Sequence, residues 1–255
     1  LHFIRKIDKI KPFLTTGIYI TYTTEPVIMQ IGVIIPAYEE EARLAGVLRK
    51  VSRYIDTENI CVIDDGSTDK TSDTAGRYGV HVIRFPENRG KGEALKAGIR
   101  WALKKRMDAM FTLDGDGQHD ADDIPAFLEV MQTRQADVVL GTRSFRITQT
   151  PPDRLLSNKI SSVLVSLAAR KKIRDSQSGF RLFRTIVLKN LPLNGSLYEL
   201  ESEMLIRLGR RKVLFAEVPI RAVYGSTTSH IRRVRDIRRF TAMWLSFMFK
   251  RKDSR

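Results

Sequence analysis

AMFTLDGDGQH, residues 109–119, sets an apolar run directly against a loop of two carboxylates, two glycines, an amide and an imidazole. A short apolar run closed by turn-forming residues reads as a buried strand, and strands buried on both faces belong to a parallel sheet covered by helices. The construction recurs on either side. IGVII (31–35) runs into Pro36-Ala37-Tyr38-Glu39-Glu40 and ICVI (60–63) into Asp64-Asp65-Gly66-Ser67, with further runs at VHVI (80–83) and DVVL (137–140). Between them Leu44, Val47, Leu48, Val51 and Ile55 follow helical spacing, as do Leu95, Ile99, Ala102 and Leu103, and Ile124, Phe127, Leu128 and Met131. Strands alternating with helices over 31–140 predict an α/β fold with a mostly parallel central sheet, right-handed crossovers and helices on both faces.

Beyond 140 come a Pro-Pro pair at 151–152, a helix through Leu156, Ile160, Val163, Leu164 and Leu167, the segment QSGFRLF (177–183), a helix near 199–209 and a strand at 212–220. No linker-like composition separates the halves, so this part is expected to complete the same single domain, over 29–230. Residues 1–28 read as an N-terminal appendage, either native or upstream of a start at Met29. Residues 231–255 read as a basic amphipathic tail.

Of 255 residues 42% are hydrophobic, which is enough for a core and excludes disorder and fibrous repeats. Lys and Arg number 44 against 29 Asp and Glu, and the net charge of +15 calls for an anionic partner: nucleic acid, phosphorylated small molecules or acidic lipid. The single cysteine, Cys61, excludes a disulfide framework and a zinc ribbon, fits a reducing compartment, and sits in an apolar run as core. Uncharged stretches such as 241–249 fall far short of the ~20 apolar residues of a spanning helix, and the first residues lack the apolar core of a secretory signal.

In an open parallel sheet the ligand lies beyond the carboxyl ends of the strands, where three acidic loops converge here. Asp114 and Asp116, two apart across a glycine, suit a hard cation such as Mg²⁺ or Mn²⁺; ordinary turn chemistry is the competing account. Asp64-Asp65 suits a ribose or base edge, while Ser67, Thr68 or Asp69 suits a helix N-cap. Asn88-Arg89-Gly90-Lys91-Gly92 precedes a helix and reads as a phosphate-facing loop, but it is no P-loop, since Gly92 replaces the required Ser or Thr. The dinucleotide fingerprint fails as well, with Asp120 where a third glycine belongs. His2, His81, His119 and His230 lack zinc spacing; His81 reads as structural, and His119, beside the acidic loop, is the functional candidate.

VIIPAYEEE (33–41), VIDDGSTDKT (62–71), NRGKGEAL (88–95), LDGDGQH (113–119), GTR (141–143), DSQSGFRLF (175–183), YELESEML (198–205) and EVPI (217–220) form an ordered series. It resembles the family 2 inverting glycosyltransferases of GT-A fold, most closely the dolichol- or polyprenol-phosphate mannosyltransferases. The resemblance spans about 31–240 and implies a nucleotide-sugar-binding domain with a residue-by-residue assignment. Pro36, Tyr38, Glu40 and Asp65 correspond to the nucleoside side, with Lys91 and Asp114 also on the donor. Asp114 and Asp116 correspond to the metal motif, with Gln118 beside it, and Mg²⁺ or Mn²⁺ is the implied cofactor. Asp116, Asp175 and Arg143 correspond to the catalytic set. Arg154, Gln177, Ser178 and Arg181 fall on the acceptor and phosphate side, and one of His230, Arg232 and Arg233 on the phosphates. Asp-Gly-Asp stands here where many relatives have Asp-Ala-Asp.

The resemblance implies hexose transfer, of mannose or glucose, from a nucleoside-diphosphate sugar to a polyprenyl phosphate, by a peripheral protein at the cytoplasmic face of a membrane. A soluble transferase with a sugar or phosphoglycerate acceptor is the rival within the family, and a basic nucleic-acid-binding module the rival outside it. The second rival fails on the strand-end carboxylates, which repel phosphates when no metal is bound, and on the lack of a stacking motif. The tail holds nine Lys or Arg against Asp236 and Asp253. On a helical wheel Val234, Ile237, Thr241, Trp244, Leu245 and Met248 share one face opposite Arg232, Arg235, Arg239 and Lys250, as an interfacial helix on an anionic membrane surface requires. A face packed on the domain, and a separate membrane subunit, are the alternatives.

Overall fold

The computed structural model describes residues 29–143, 152–221 and 233–249. The appendage expected at 1–28 and the candidate phosphate ligands His230 and Arg232 lie outside the described residues, and of Arg154 and Arg233 only the helical backbone is described. The first half alternates as expected: β1 (Ile31–Ala37), α1 (Glu41–Val51), β2 (Ile60–Asp64), α2 (Thr71–Arg77), β3 (His81–Arg84), α3 (Lys91–Lys104), β4 (Ala109–Thr112), α4 (Ile124–Thr133) and β5 (Val138–Arg143). Then follow α5 (Pro152–Ala169), β6 (Arg181–Arg184), α6 (Thr185–Leu188), α7 (Glu199–Gly209), β7 (Phe215–Ile220) and α8 (Arg233–Phe249).

The strands form one seven-stranded sheet in the order β3-β2-β1-β4-β6-β5-β7. All pairs are parallel except those of β6, which runs antiparallel to both β4 and β5. Its insertion was not anticipated: four residues with arginine at each end carry too little apolar signal to read as a central strand. The final strand begins at Phe215, not at 212. Two apolar layers sandwich the sheet. Leu44, Leu48, Val51, Ile124, Phe127 and Met131 of α1 and α4 cover one face. Leu95, Ile99, Trp101, Val165, Leu205 and Leu208 of α3, α5 and α7 cover the other, with Cys61 fully buried in the same layer.

Helix α8 corrects the expected wheel. Phe240, Met243, Trp244 and Phe247 pack on the second layer, and the Trp244 indole donates to the Leu164 carbonyl at 2.8 Å. Arg207 and Arg210 lie over the Phe247 ring at 5.0 and 5.1 Å, and Arg239 pairs with Glu199 at 3.3 Å. Trp244 therefore faces the domain, because an indole gains more from a packed site with a carbonyl partner than from water. Among the described residues no helix is long and apolar enough to cross a membrane.

Candidate active site

The carboxyl ends of β1, β2 and β4 share one edge of the sheet. Because β6 is antiparallel, its first residue, Arg181, lies opposite Thr112 of β4 and Leu140 of β5. The segment 175–180 is thereby delivered to that same edge. The Thr112 hydroxyl donates to the Gly179 carbonyl at 2.7 Å, and the Gly141 N–H to that of Phe180 at 2.9 Å. Gly179 lies so close beneath Asp114 that a Cβ there would stand 2.4 Å from Oδ2.

Asp114 is the centre of the cluster. Lys91 Nζ stands 2.7 Å from its Oδ1 and 2.9 Å from Glu201 Oε2, and His119 Nε2 lies 3.4 Å from its Oδ2. Lys91 opens α3 after Gly90, whose φ of 95° takes a backbone turn that a side chain would oppose, with Leu197 filling the space beside it. Burial pushes Asp114 up, but the Lys91 charge and the His119 hydrogen bond outweigh it and hold the carboxyl far below the usual range. Burial works against the Lys91 ammonium, and Asp114 and Glu201 more than restore it, so its pKa is raised. Asp116 is left with the surplus: burial and the Asp114 charge raise its pKa, although its Oδ1 accepts the Gln118 N–H at 3.0 Å. Beside it opens a cleft of about 310 Å³, lined by Arg43, Val47, Lys50, Asp116 and His119 among others.

The acids after β2 are differently employed. Asp64 is fully buried and accepts the Ser67 N–H at 2.8 Å and the Ser72 hydroxyl. Asp65 accepts the N–H groups of Arg89 and Gly90, both at 2.8 Å, and so positions the loop that leads to Lys91; burial raises its pKa against these two bonds. Of the N-cap candidates Asp69 serves, its Oδ1 accepting the N–H of Thr71, the first residue of α2, at 2.9 Å. Its other oxygen and the Ser67 hydroxyl accept the N–H groups of Glu41 and Glu39, both at 3.0 Å. They tie the first acidic loop to the second. Glu40, expected near the base, pairs with Arg43 at 2.6 Å; Tyr38 is half-buried, and Pro36 is buried in β1.

At the end of β5, Arg143 meets Asp175 in a two-pronged pair, Nε to Oδ2 at 2.8 Å and Nη2 to Oδ1 at 3.0 Å. Burial opposes ionisation of Asp175, but Arg143 wins and lowers its pKa. The Gln177 N–H donates to the same carboxylate at 3.1 Å. Arg181, expected on the acceptor side, is 1% exposed and donates to the carbonyls of Ser176, Ser178 and Glu201. It holds the acceptor segment in place and offers no surface to a ligand. Glu201 is the residue that sequence reasoning missed. Its only signal was the run Glu199, Glu201, Glu203 on a helix whose Leu200, Met204 and Leu205 are buried, which forces some of the acids inward.

The donor set fits a divalent cation. Among the described residues no three His, Cys, Asp or Glu side chains form a metal cage. Mg²⁺-type ions need none where one or two carboxylates act together with substrate phosphates. Asp114 and Asp116 provide those carboxylates, with the Gln118 amide adjacent, and the surplus charge on Asp116 is what such an ion would relieve. Two buried atoms at the site, His119 Nδ1 and Ser178 Oγ, have no hydrogen-bond partner, as expected where water or a ligand completes the arrangement.

The family described as Glycosyl transferase family 2 matches residues 32–191. A UDP-N-acetylglucosamine–dolichyl-phosphate N-acetylglucosaminyltransferase of Methanococcus voltae is 30% identical, over 76% of this chain and 86% of that protein. An undecaprenyl-phosphate mannosyltransferase of Micrococcus luteus is 29% identical, over 75% and 83%. Glucosyl-3-phosphoglycerate synthase of Mycobacterium tuberculosis, solved with UDP, shares the fold at a TM-score of 0.71 and 23% identity, covering 88% of this chain and 82% of that one. Other structures of that synthase hold Mn²⁺ or Mg²⁺ together with UDP.

Proposed function

The chain belongs to glycosyl transferase family 2, and from that premise we propose that it moves a hexose, mannose or glucose, from a nucleoside-diphosphate sugar to a polyprenyl phosphate of dolichyl type, with inversion. The carrying observation is the loop after β4, where Asp114, held by Lys91 and His119, and Asp116, which accepts the Gln118 N–H, stand together beside an open cleft. The acceptor class rests on the relatives that use dolichyl or undecaprenyl phosphate; the likeness to the phosphoglycerate enzyme is one of fold.

Asp114 and Asp116, with Gln118, would hold Mg²⁺ or Mn²⁺, which supplies electrostatic stabilisation of the departing diphosphate. Lys91 adds a positive charge at the same place, and Asp65 with Pro36, Tyr38 and Glu40 is assigned to the nucleoside. Asp175 orients Arg143 for a phosphate, a geometry a planar guanidinium favours. Arg154, with Gln177 and Ser178, is assigned to the acceptor. An Asp held below its usual pKa by an arginine is a poor proton acceptor, so Asp175 acts by orientation. No base is required, because a phosphate monoester with a second pKa of about 6 arrives ionised. Positioning that oxygen behind the anomeric carbon is the main demand on the site. The proposed workplace is the cytoplasmic face of a membrane, with anionic lipid and a separate membrane subunit as partners.

Radiolabel transfer from a panel of GDP- and UDP-sugars into a lipid extract, with phosphoglycerate offered in parallel, tests this reading. Label is expected in the lipid phase with Mg²⁺ or Mn²⁺ and not in EDTA. Label in phosphoglycerate would overturn the acceptor, and label in neither would overturn the transferase assignment.

A further inference from the structure

Helix α5 is apolar on the wrong side for a helix that only covers a sheet. Asn158, Ser162, Val165 and Ala169 face inward. On the opposite side Leu156, Ile160, Val163 and Leu167, spaced i, i+4, i+7, i+11, are 52 to 60% exposed. Helix α8, which packs against α5, exposes Ile237, Leu245, Met248 and Phe249. Eight of the twelve large apolar side chains exposed among the described residues thus lie on two neighbouring helices. Chance scatter would spread them over the surface.

The two stripes adjoin. On α8, Arg239 reaches Glu199 of α7, while Trp244 reaches Leu164 of α5. At 100° per residue Ile237, Thr241, Leu245 and Met248 come next after Trp244 in the direction away from Arg239, so they continue outward on the α5 side. On α5, Ile160 and Leu167 come next after Leu164 in the direction away from the core. The result is one apolar ridge roughly 16 Å long on α5, widened by α8. Exposed Lys159 and Arg170 flank it on α5, and exposed Arg238 flanks it on α8. From Leu155 to Ala169 and from Ile237 to Phe249 there is no acidic residue, and Lys250, Arg251 and Lys252 follow in the sequence.

We propose that this composite ridge of α5 and α8 is a docking surface for an anionic bilayer. Apolar side chains framed by cations match an interface of acyl chains beneath anionic headgroups. A second copy of the chain, paired by a two-fold axis, would instead set basic rim against basic rim. The purpose of the surface rests on the lipid-acceptor reading: Ser161 and Ser162 of α5 meet Ser176, between Asp175 and Gln177 at the candidate site, so docking along α5 sets that segment one helix away from the membrane. The surface itself stands on exposure and charge alone.

The test is co-sedimentation of the full chain with phosphatidylcholine vesicles, with and without phosphatidylglycerol and free of polyprenyl phosphate. Binding is expected with phosphatidylglycerol, weakened by high salt. The double variant Ile160→Asn, Leu167→Asn should lower it about tenfold or more, because burial of two large side chains is lost. Leu245→Asn, Met248→Asn should act likewise, with thermal unfolding unchanged in both, since these residues are exposed. Undiminished binding of the α5 variant would overturn the composite surface. So would failure of the intact chain to bind at low salt, or a dimer in light scattering that the variants dissolve while vesicle binding persists. Transfer to detergent-dispersed polyprenyl phosphate is measured alongside and should survive in the variants. If the intact chain binds vesicles but transfers nothing, the transferase reading falls and the docking surface stands.

Discussion

The loops after β2 and after β4 start from the same sequence device, two carboxylates at the end of a buried strand, and put it to opposite uses. Asp64 and Asp65 are answered by fixed donors: the N–H groups of Ser67, Arg89 and Gly90 and the Ser72 hydroxyl. Backbone donors cannot leave, so this pair is a brace. Asp114 is answered by side chains, Lys91 and His119, while Asp116 accepts the Gln118 N–H and has its pKa raised by burial and the Asp114 charge. Side-chain partners on rotatable bonds can give way to a bound cation. What answers a pair of adjacent carboxylates, backbone or side chain, is a property of the fold.

The strongest way to break this contrast is Asp116→Asn. Turnover in the transfer assay should fall about a thousandfold, while denaturant unfolding changes by less than about 0.5 kcal/mol, because the asparagine keeps an Oδ1 to accept the Gln118 N–H. A large stability loss would place both loops in one class. Next is Arg143→Met, which strands the nearly inaccessible Asp175 and should destabilise the fold by about 3 kcal/mol at neutral pH. The pH dependence carries the sign. Asp175 in the intact protein has a pKa below its unfolded value, so its stabilisation is complete above the ordinary carboxylate range and disappears as pH falls through the depressed value. In the variant the stranded carboxyl is relieved by protonation, so the gap between the two proteins should narrow in acid.

Asp64→Ala sharpens the contrast from the other side. It removes an acceptor from a buried N–H and a buried hydroxyl and should cost about 2 kcal/mol by denaturant titration. Transfer per folded molecule should stay within about threefold of the parent. The smallest effect is expected from Gly179→Ala. The new methyl group would push Asp114 off its place between Lys91 and His119, and a displaced ligand of this kind should reduce turnover about tenfold. Turnover equal to the parent's would mean that Asp114 need not be held there.

Much of this was legible in the chain. β1, β2 and β4 lie within a residue or two of the apolar runs and β5 within three, because a strand buried on both faces must be continuously apolar. The acidic loops follow from that placement. β6 was illegible, because Arg181 sits inside the protein only through three carbonyls supplied by other segments. Glu201 was illegible as a site residue because Lys91, its partner, is far away in the chain.

By itself the sequence determined the alternation of strand and helix, the edge to which the acidic loops are delivered, and the family. These depend on local pattern and residue type, which survive without knowledge of contacts. The tertiary structure decided which carboxylates are met by backbone donors and which by side chains, that Arg181 is buried on three carbonyls while Arg143 pairs with Asp175, and that α5 turns an apolar stripe to solvent beside α8. Each of these depends on which groups from distant segments meet. An antiparallel β6 between β4 and β5 sets those meetings by carrying residues 175–180 to the ligand edge, and strand direction within a sheet leaves no mark in four residues of sequence.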